Sequence, residues 1–189
     1  MARAGLDKNI VIEKAAQLAN ERGLDNISLK IIAEKFGVQT PSLYNHVKSL
    51  DDLRKQIMLY GWRQLENRLL LSVAGVSGYD ALRSMCNAFY EYAISNPGVF
   101  NAMLWYNRYQ DEESNAATKQ LFEILFTIMK PLHISEEKIH HIIRTFRGFL
   151  EGYALLVNNG AFGNPASVKE SFALSVEIIL NGIEALEER

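Results

Sequence analysis

The chain has 189 residues, of which 48% are hydrophobic, and it carries a formal net charge of −2. This composition indicates a soluble globular protein with one large core, or a small domain joined to a larger one. No apolar run reaches the ~20 residues of a membrane span, the stretch from Met1 to Asp7 holds no secretory signal, and a lone cysteine, Cys86, excludes an internal disulfide, so we expect a cytoplasmic protein.

The first two predicted helices have clear boundaries. The first is expected from Asp7 to Arg22. Ser28 is a suitable N-cap for the second, and Gly37 tolerates the left-handed backbone of a sharp exit. The apolar residues that share one face of these helices are Ile12, Ala15, Ala16, Ala19, Leu29, Ile32, Ala33 and Phe36.

A third helix is predicted directly after this glycine turn. Thr40 is the expected N-cap and Pro41 the first helical residue, because proline has no N–H to satisfy there. Leu43 and Val47 are four residues apart and can face inward. Polar or aromatic residues remain on the outside or at the helix start: Gln39, Thr40, Ser42, Tyr44, Asn45 and His46. Two helices joined in this way are typical of a DNA-binding helix-turn-helix.

The outward residues have the chemistry that DNA requires. Lys30 and Lys48 can neutralise phosphates, and the hydroxyl groups of Ser28, Thr40 and Tyr44 can donate to phosphate oxygens. Side chains suited to base edges are those of Gln39, Ser42, Asn45 and His46. The alternative for individual residues is structural: Tyr44 and His46 would pack the small domain and Thr40 would only cap a helix.

At these residues the sequence resembles the tetracycline-repressor (TetR) family of transcription regulators. The resemblance rests on Gly23, Ser28, Ile32-Ala33, Gly37-Val38, Thr40 to Leu43, Tyr44, His46 and Lys48. It implies DNA binding through nine residues: Ser28, Lys30, Gln39, Thr40, Ser42, Tyr44, Asn45, His46 and Lys48. Residues 1–50 hold seven Lys and Arg against five Asp and Glu, a modest excess that favours two copies sharing the phosphate contacts.

The rest of the chain is predicted to be helical. Ser49 and Asp52 form a capping-box-like start for a long helix, and later Gly, Pro and Ser residues mark the other boundaries. The expected spans are Leu50 to Val73, Tyr79 to Ser95, Pro97 to Tyr109, Asp111 to Met129, Ser135 to Asn158 and Ser167 to Glu187. The prediction is an all-α protein with a DNA-binding domain over residues 1–50 and a helical effector-binding and dimerisation domain over residues 51–189.

The C-terminal part resembles a ligand-binding subclass of the same family, the WHG type. The residues concerned are Arg147-Gly148-Phe149, Gly152, Asn159 to Gly163, Ser171-Phe172 and Gly182. The resemblance implies that the last two long helices pair with those of a second subunit. Such a homodimer would present two recognition helices ~34–36 Å apart and require an inverted-repeat operator. Alternatively, these glycines serve packing within one subunit.

Aromatic and charged residues in the middle helices suggest an effector pocket. Most aromatic side chains there must be ordinary core, and Arg147 and Glu151, four residues apart, can also form a plain intrahelical ion pair. The hypothetical pocket is assigned to Phe89, Phe100, Met103, Trp105, Tyr106, Tyr109, Phe126, Arg147 and Glu151.

These observations predict a repressor that a small molecule releases from DNA, with a body that binds a protein partner as the alternative. An enzyme is not expected, because Cys86 has no partner set, and His140 and His141 are adjacent and point in different directions. Neither a metal nor another cofactor is expected.

Overall fold

The computed structural model describes residues 7–187. Within that range the chain is helical and contains no β-strand. The expectation about a secretory signal falls on residues outside it. The helices are α1 (Lys8–Arg22), α2 (Leu29–Phe36), α3 (Leu50–Ser72), α4 (Gly78–Ser95), α5 (Pro97–Met103), α6 (Glu112–Met129), α7 (Glu136–Asn158) and α8 (Val168–Glu184), with 3₁₀-helices at Leu24–Asn26, Thr40–Asn45 and Tyr106–Arg108.

Helix starts follow the polar caps in the sequence. The Asp7 carboxylate accepts the Asn9 N–H at 2.8 Å, the Ser28 hydroxyl oxygen accepts the Ile31 N–H at 3.3 Å, and the Ser167 hydroxyl oxygen accepts the Glu170 N–H at 3.3 Å. Each bond satisfies a backbone donor that has no partner within its own helix. The all-α prediction is confirmed.

The chain divides into two compact units. Unit 1 runs to Gln64 and also contains Asn96–Ala117; unit 2 contains Leu65–Ser95 and the chain from Thr118 onward. The α3 helix continues without a break from one unit into the other.

Unit 1 is held together by a close contact between α1 and α5. Gly98 lies against the Ala19 carbonyl group, where a Cβ would come within 1.9 Å of the carbonyl oxygen. The Asn20 side chain completes the contact: its oxygen accepts the Val99 N–H at 2.9 Å and its amide donates to the Asn96 side-chain oxygen at 3.0 Å. A residue of α1 therefore caps α5, whereas Asn96, which directly precedes α5, makes no capping bond with its own side chain.

The predicted helix from Pro97 to Tyr109 is too long. The α5 helix ends at Met103, and a separate turn holds Tyr106 and Arg108. The Tyr106 ring meets Trp62 edge to face at 6.1 Å, and the Arg108 guanidinium pairs with Asp51 at 3.1 Å. These contacts with α3 outweigh helix propensity, which contributes only a few tenths of a kcal/mol per residue.

Unit 2 packs α4 against α7 and α8. The Tyr90 ring stacks on Phe172 with 4.1 Å between ring centroids, and Arg83 donates to both carboxylate oxygens of Glu177, one at 2.9 Å. Cys86 is buried, and burial raises the pKa of its thiol to about 12. The thiol therefore stays protonated and acts as a small apolar side chain.

The sequence predicts no membrane span, and the structure describes the helices of residues 7–187. None of the helices there combines the length and the hydropathy that crossing a bilayer requires.

Candidate nucleic-acid interface

The helix-turn-helix geometry begins at the glycine corner. Gly37 has φ 63° and ψ 32°, the left-handed region that favours glycine, and the Val38 N–H donates to the Ala33 carbonyl oxygen at 3.0 Å. This hydrogen bond closes α2, and the recognition helix begins at Thr40, three residues after the glycine.

The recognition helix, Thr40–Asn45, is a 3₁₀-helix. It begins one residue earlier than predicted and Thr40 is not its cap: Gln39 has the extended backbone (φ −77°, ψ 144°) that precedes the helix. The Ser42 N–H donates to the Gln39 carbonyl oxygen at 2.9 Å, three residues back. This winding is uncommon over more than about four residues, so the six-residue segment is a long example of it.

Two buried side chains fix which face of the recognition helix points outward. Leu43 and Val47 are essentially inaccessible to solvent, as predicted. Tyr44, between them in the chain, is 57% exposed. The small domain thus buries the apolar residues and leaves the polar side of the segment accessible.

The start of α3 positions Lys48. The Ser49 hydroxyl oxygen accepts the Asp52 N–H at 3.0 Å, and the Asp52 carboxylate accepts the Lys48 N–H at 2.7 Å. This reciprocal arrangement is the predicted capping box, with the carboxylate reaching one residue further back. It fixes the backbone of Lys48, whose side chain is exposed beside the recognition helix.

None of the nine candidate DNA-contacting residues is buried. Those with exposed side chains are Lys30, Gln39, Tyr44, Asn45 and Lys48, and those of intermediate exposure are Ser28, Thr40, Ser42 and His46. All nine lie in unit 1, on α2, on the recognition helix and at the residues flanking it. Their role in DNA binding stays a prediction.

The candidate effector residues divide between the two units. Phe100 and Met103 are fully buried in unit 1, whereas Trp105 and Tyr109 line an open cleft there. In unit 2, Arg147 donates to the Glu151 carboxylate at 2.8 Å, the plain intrahelical pair foreseen as the alternative. The remaining members are Tyr106 in unit 1 and Phe89 and Phe126 in unit 2.

Helices α7 and α8 each carry an apolar stripe that no other helix of the described chain covers. A Cβ on Gly148, Gly152 or Gly182 would meet no other helix within 4 Å, so the glycines do not serve packing within one subunit. On α8, Leu174 and Ile178 precede Gly182 at four-residue spacing and are 63% and 62% exposed. The α7 stripe is Gly148, Gly152 and Leu156; the α8 stripe is Leu174, Ile178 and Gly182.

Sequence analysis missed the leucine and isoleucine residues of these stripes. Their signal was present, since Leu156 and Ile178 each lie one helical turn from a noted glycine and Leu174 lies two turns from Gly182. On α8 it was masked because Phe172, Val176 and Leu180, which are buried, form a second apolar face. One helix with two apolar faces exceeds what a single core needs.

Family models match both parts of the chain. Residues 11–57 match the model described as "Bacterial regulatory proteins, tetR family", and residues 82–179 match "Tetracyclin repressor-like, C-terminal domain". The first match includes most of the candidate DNA-binding region, and the second includes most of α7 and α8.

Curated relatives and solved structures agree with these matches. The HTH-type transcriptional regulator YobS of Bacillus subtilis is 28% identical over 96% of this chain and 94% of its own length. The class D tetracycline repressor of Escherichia coli is 39% identical over 46% of this chain and 39% of its own length. A TetR variant from Acinetobacter baumannii in complex with minocycline has a similar fold, with a TM-score of 0.72, 19% identity, and coverage of 97% of this chain and 99% of that one.

Proposed function

Since the chain belongs to the TetR family of DNA-binding transcriptional regulators, we propose that it is a repressor that binds an inverted-repeat operator as a homodimer and is released by a small-molecule effector. One observation carries the proposal. Leu43 in the recognition helix and Val47 just after it are buried, and the polar side of the segment is accessible. A helix that served only packing would gain nothing from presenting these polar side chains to solvent.

The exposed residues divide into two groups with different tasks. Lys30 and Lys48 supply positive charge for phosphates, which fixes the position of the protein but does not read the sequence. Gln39 and Asn45 carry amides that suit the bidentate donor and acceptor pattern of adenine in the major groove. His46 and Ser42 add weaker hydrogen-bonding groups beside them.

Dimerisation is supported by the uncovered stripes on α7 and α8. The exposed side chains of Leu156, Leu174 and Ile178 cost free energy in water and favour burial against a matching surface. The glycines that share these stripes allow two helices to approach closely. A two-fold axis would use the same stripes on both subunits, which is the commonest symmetry among homo-oligomers.

Effector control is supported by the family and by one neighbour. The Acinetobacter baumannii structure holds minocycline, so a body with this fold can accommodate a small molecule. The unbroken α3 helix follows the capping box at Ser49 directly. A ligand that favours one arrangement of the body would change operator affinity through this helix by no more than its differential affinity for the two states.

Alanine substitutions in the two groups separate positioning from sequence reading. Lys48→Ala should weaken binding to all DNA sequences and lower the salt dependence of the affinity, because one phosphate contact is lost. Gln39→Ala and Asn45→Ala should each cost ~1–3 kcal/mol at particular base pairs and relax the preference there. Fluorescence anisotropy at several salt concentrations measures both effects.

The matched control is Lys119→Ala, which removes an exposed lysine of α6 and should leave the affinity unchanged. If Lys48→Ala, Gln39→Ala and Asn45→Ala also bind operator with unaltered affinity, the DNA-reading surface has been assigned to the wrong residues.

A further inference from the structure

Unit 1 contains a cleft whose lining includes two arginines and two aromatic residues. It opens to solvent and is lined by Arg54, Trp105, Arg108 and Tyr109, with Asp25 and two apolar residues beside them. Arg54 comes from the second turn of α3, and Trp105, Arg108 and Tyr109 come from the segment that follows α5. The cleft therefore joins the helix that follows the recognition helix to a segment distant in the chain.

The Arg54 guanidinium is poorly satisfied. Its terminal nitrogen lies 3.5 Å from the Asp25 carboxylate, at the limit of a hydrogen bond, and the Asp25 side chain is 90% exposed. Its Nε is buried and has no hydrogen-bond partner within residues 7–187. The Arg54 side chain is nevertheless 28% exposed, so its terminal nitrogens can reach an additional anionic partner in the cleft.

Arg108 and Trp105 form the second half of the site. The guanidinium carbon of Arg108 lies 5.5 Å from the centroid of the Trp105 ring, within the range of a cation–π contact. The Trp105 side chain is nevertheless 52% exposed, although tryptophan is usually well buried. An aromatic surface beside a charged donor is suited to a ligand with a flat ring and an anionic group.

The remaining lining fits such a ligand. Leu24 and Ala102 are buried residues that supply an apolar wall. The Tyr109 hydroxyl donates to the Asp51 carbonyl oxygen at 3.4 Å, a long bond, and burial raises the pKa of this phenol. The hydroxyl keeps its proton at neutral pH and can exchange this long bond for one to a ligand.

Two carboxylates already pair with the arginines and would compete with a ligand for them. Asp51 pairs with Arg108 at 3.1 Å and can stay, because a guanidinium has five N–H donors. Asp25 can return to water at little cost, because an exposed ion pair at 3.5 Å contributes little.

We propose that this cleft binds a small aromatic carboxylate, with its carboxylate between Arg54 and Arg108 and its ring against Trp105. The binding claim is independent of DNA. Its regulatory consequence rests on the proposed function: the ligand would connect the Leu24–Asn26 turn, which precedes the helix-turn-helix, to α3 and to the segment after α5.

Benzoate is the probe, and the full chain labelled with 5-fluorotryptophan is the sample. The chain contains two tryptophans, Trp62 and Trp105, so ¹⁹F NMR gives two signals that Trp105→Phe assigns. Benzoate should shift the Trp105 signal saturably, with a Kd on the order of 1 mM for so small a ligand. Benzamide, which lacks the charge, and acetate, which lacks the ring, should each bind at least about tenfold more weakly.

Arginine variants locate the site. Arg108→Gln and Arg54→Gln should each weaken benzoate binding at least about tenfold, whereas Arg63→Gln, an exposed arginine of the same α3 helix, should have no effect. Arg108 is the more exposed of the two and keeps the test valid if the Arg54 variant folds poorly.

The proposal is overturned if benzoate gives no saturable shift, if benzamide binds equally well, or if Arg108→Gln binds benzoate like the unsubstituted protein. Since no DNA is present, failure of the DNA-binding proposal would leave this result unaffected, and the reverse also holds.

Discussion

Gly98→Ala is expected to lower the free energy of unfolding by about 3 kcal/mol or more, equivalent to a fall in Tm of roughly 6–12 °C for a chain of this length. The added Cβ would come within 1.9 Å of the Ala19 carbonyl oxygen and 2.2 Å of its carbon. Both are backbone atoms, so no side-chain rotation relieves the overlap. Moving α5 away would also break the hydrogen bonds that Asn20 makes to Val99 and Asn96.

Urea denaturation followed by circular dichroism measures this loss. Gly163→Ala is the matched control, because Gly163 has an ordinary backbone conformation and its new Cβ would meet nothing within 4 Å. The control should change the unfolding midpoint very little. An equally small change in Gly98→Ala would show that α1 and α5 do not approach as closely as described.

The double substitution Leu174→Glu and Ile178→Glu is expected to dissociate the proposed homodimer. Both side chains are mostly exposed in the single chain, so folding should survive, but a two-fold interface would bury four carboxylates without partners. An unpaired buried charge costs about 3–5 kcal/mol, and 1.4 kcal/mol is a factor of ten, so the dimer dissociation constant should rise at least about 100-fold.

Analytical ultracentrifugation at several concentrations measures the dissociation constant, and operator binding should fall in parallel because a single subunit holds one recognition helix. Leu71→Glu is the control: Leu71 is 76% exposed but lies on α3, outside both stripes. A double variant that remains a dimer at the concentration where the unsubstituted protein does would rule out α8 as the interface.

Much of the fold could be predicted from local signals. The caps at Asp7, Ser28, Ser49 and Ser167 act within four residues of themselves, so the sequence alone carries the information. The Gly37 corner is similar, because the left-handed backbone is a property of that residue.

Contacts between distant residues explain most of what was not predicted. Asn20 caps α5 from a position 79 residues before Val99, and nothing near Asn20 in the sequence indicates it. The end of α5 at Met103 has the same origin, since Trp62 and Asp51 hold the residues that follow. Propensity and periodicity describe only neighbours in the chain.

In the candidate site, too, features set by neighbours in the chain could be predicted, and features set by distant residues could not. The burial of Leu43 and Val47 could be predicted from their four-residue spacing, although Val47 lies just after the recognition helix. Spacing could not show that the candidate effector residues divide between the two units, or that Arg147 and Glu151 pair with each other on one helix. The cleft in unit 1 depends on Arg54, which lies about 50 residues before Trp105 and bears no local sign of pairing with that segment.

In vitro selection of a random DNA library by the purified full chain tests the central claim, that two copies of the recognition helix read one duplex symmetrically. The selection should enrich an inverted repeat whose half-site centres are separated by about 10 base pairs, one helical turn. A selected motif without two-fold symmetry, or a library that shows no enrichment over the starting pool, would contradict it.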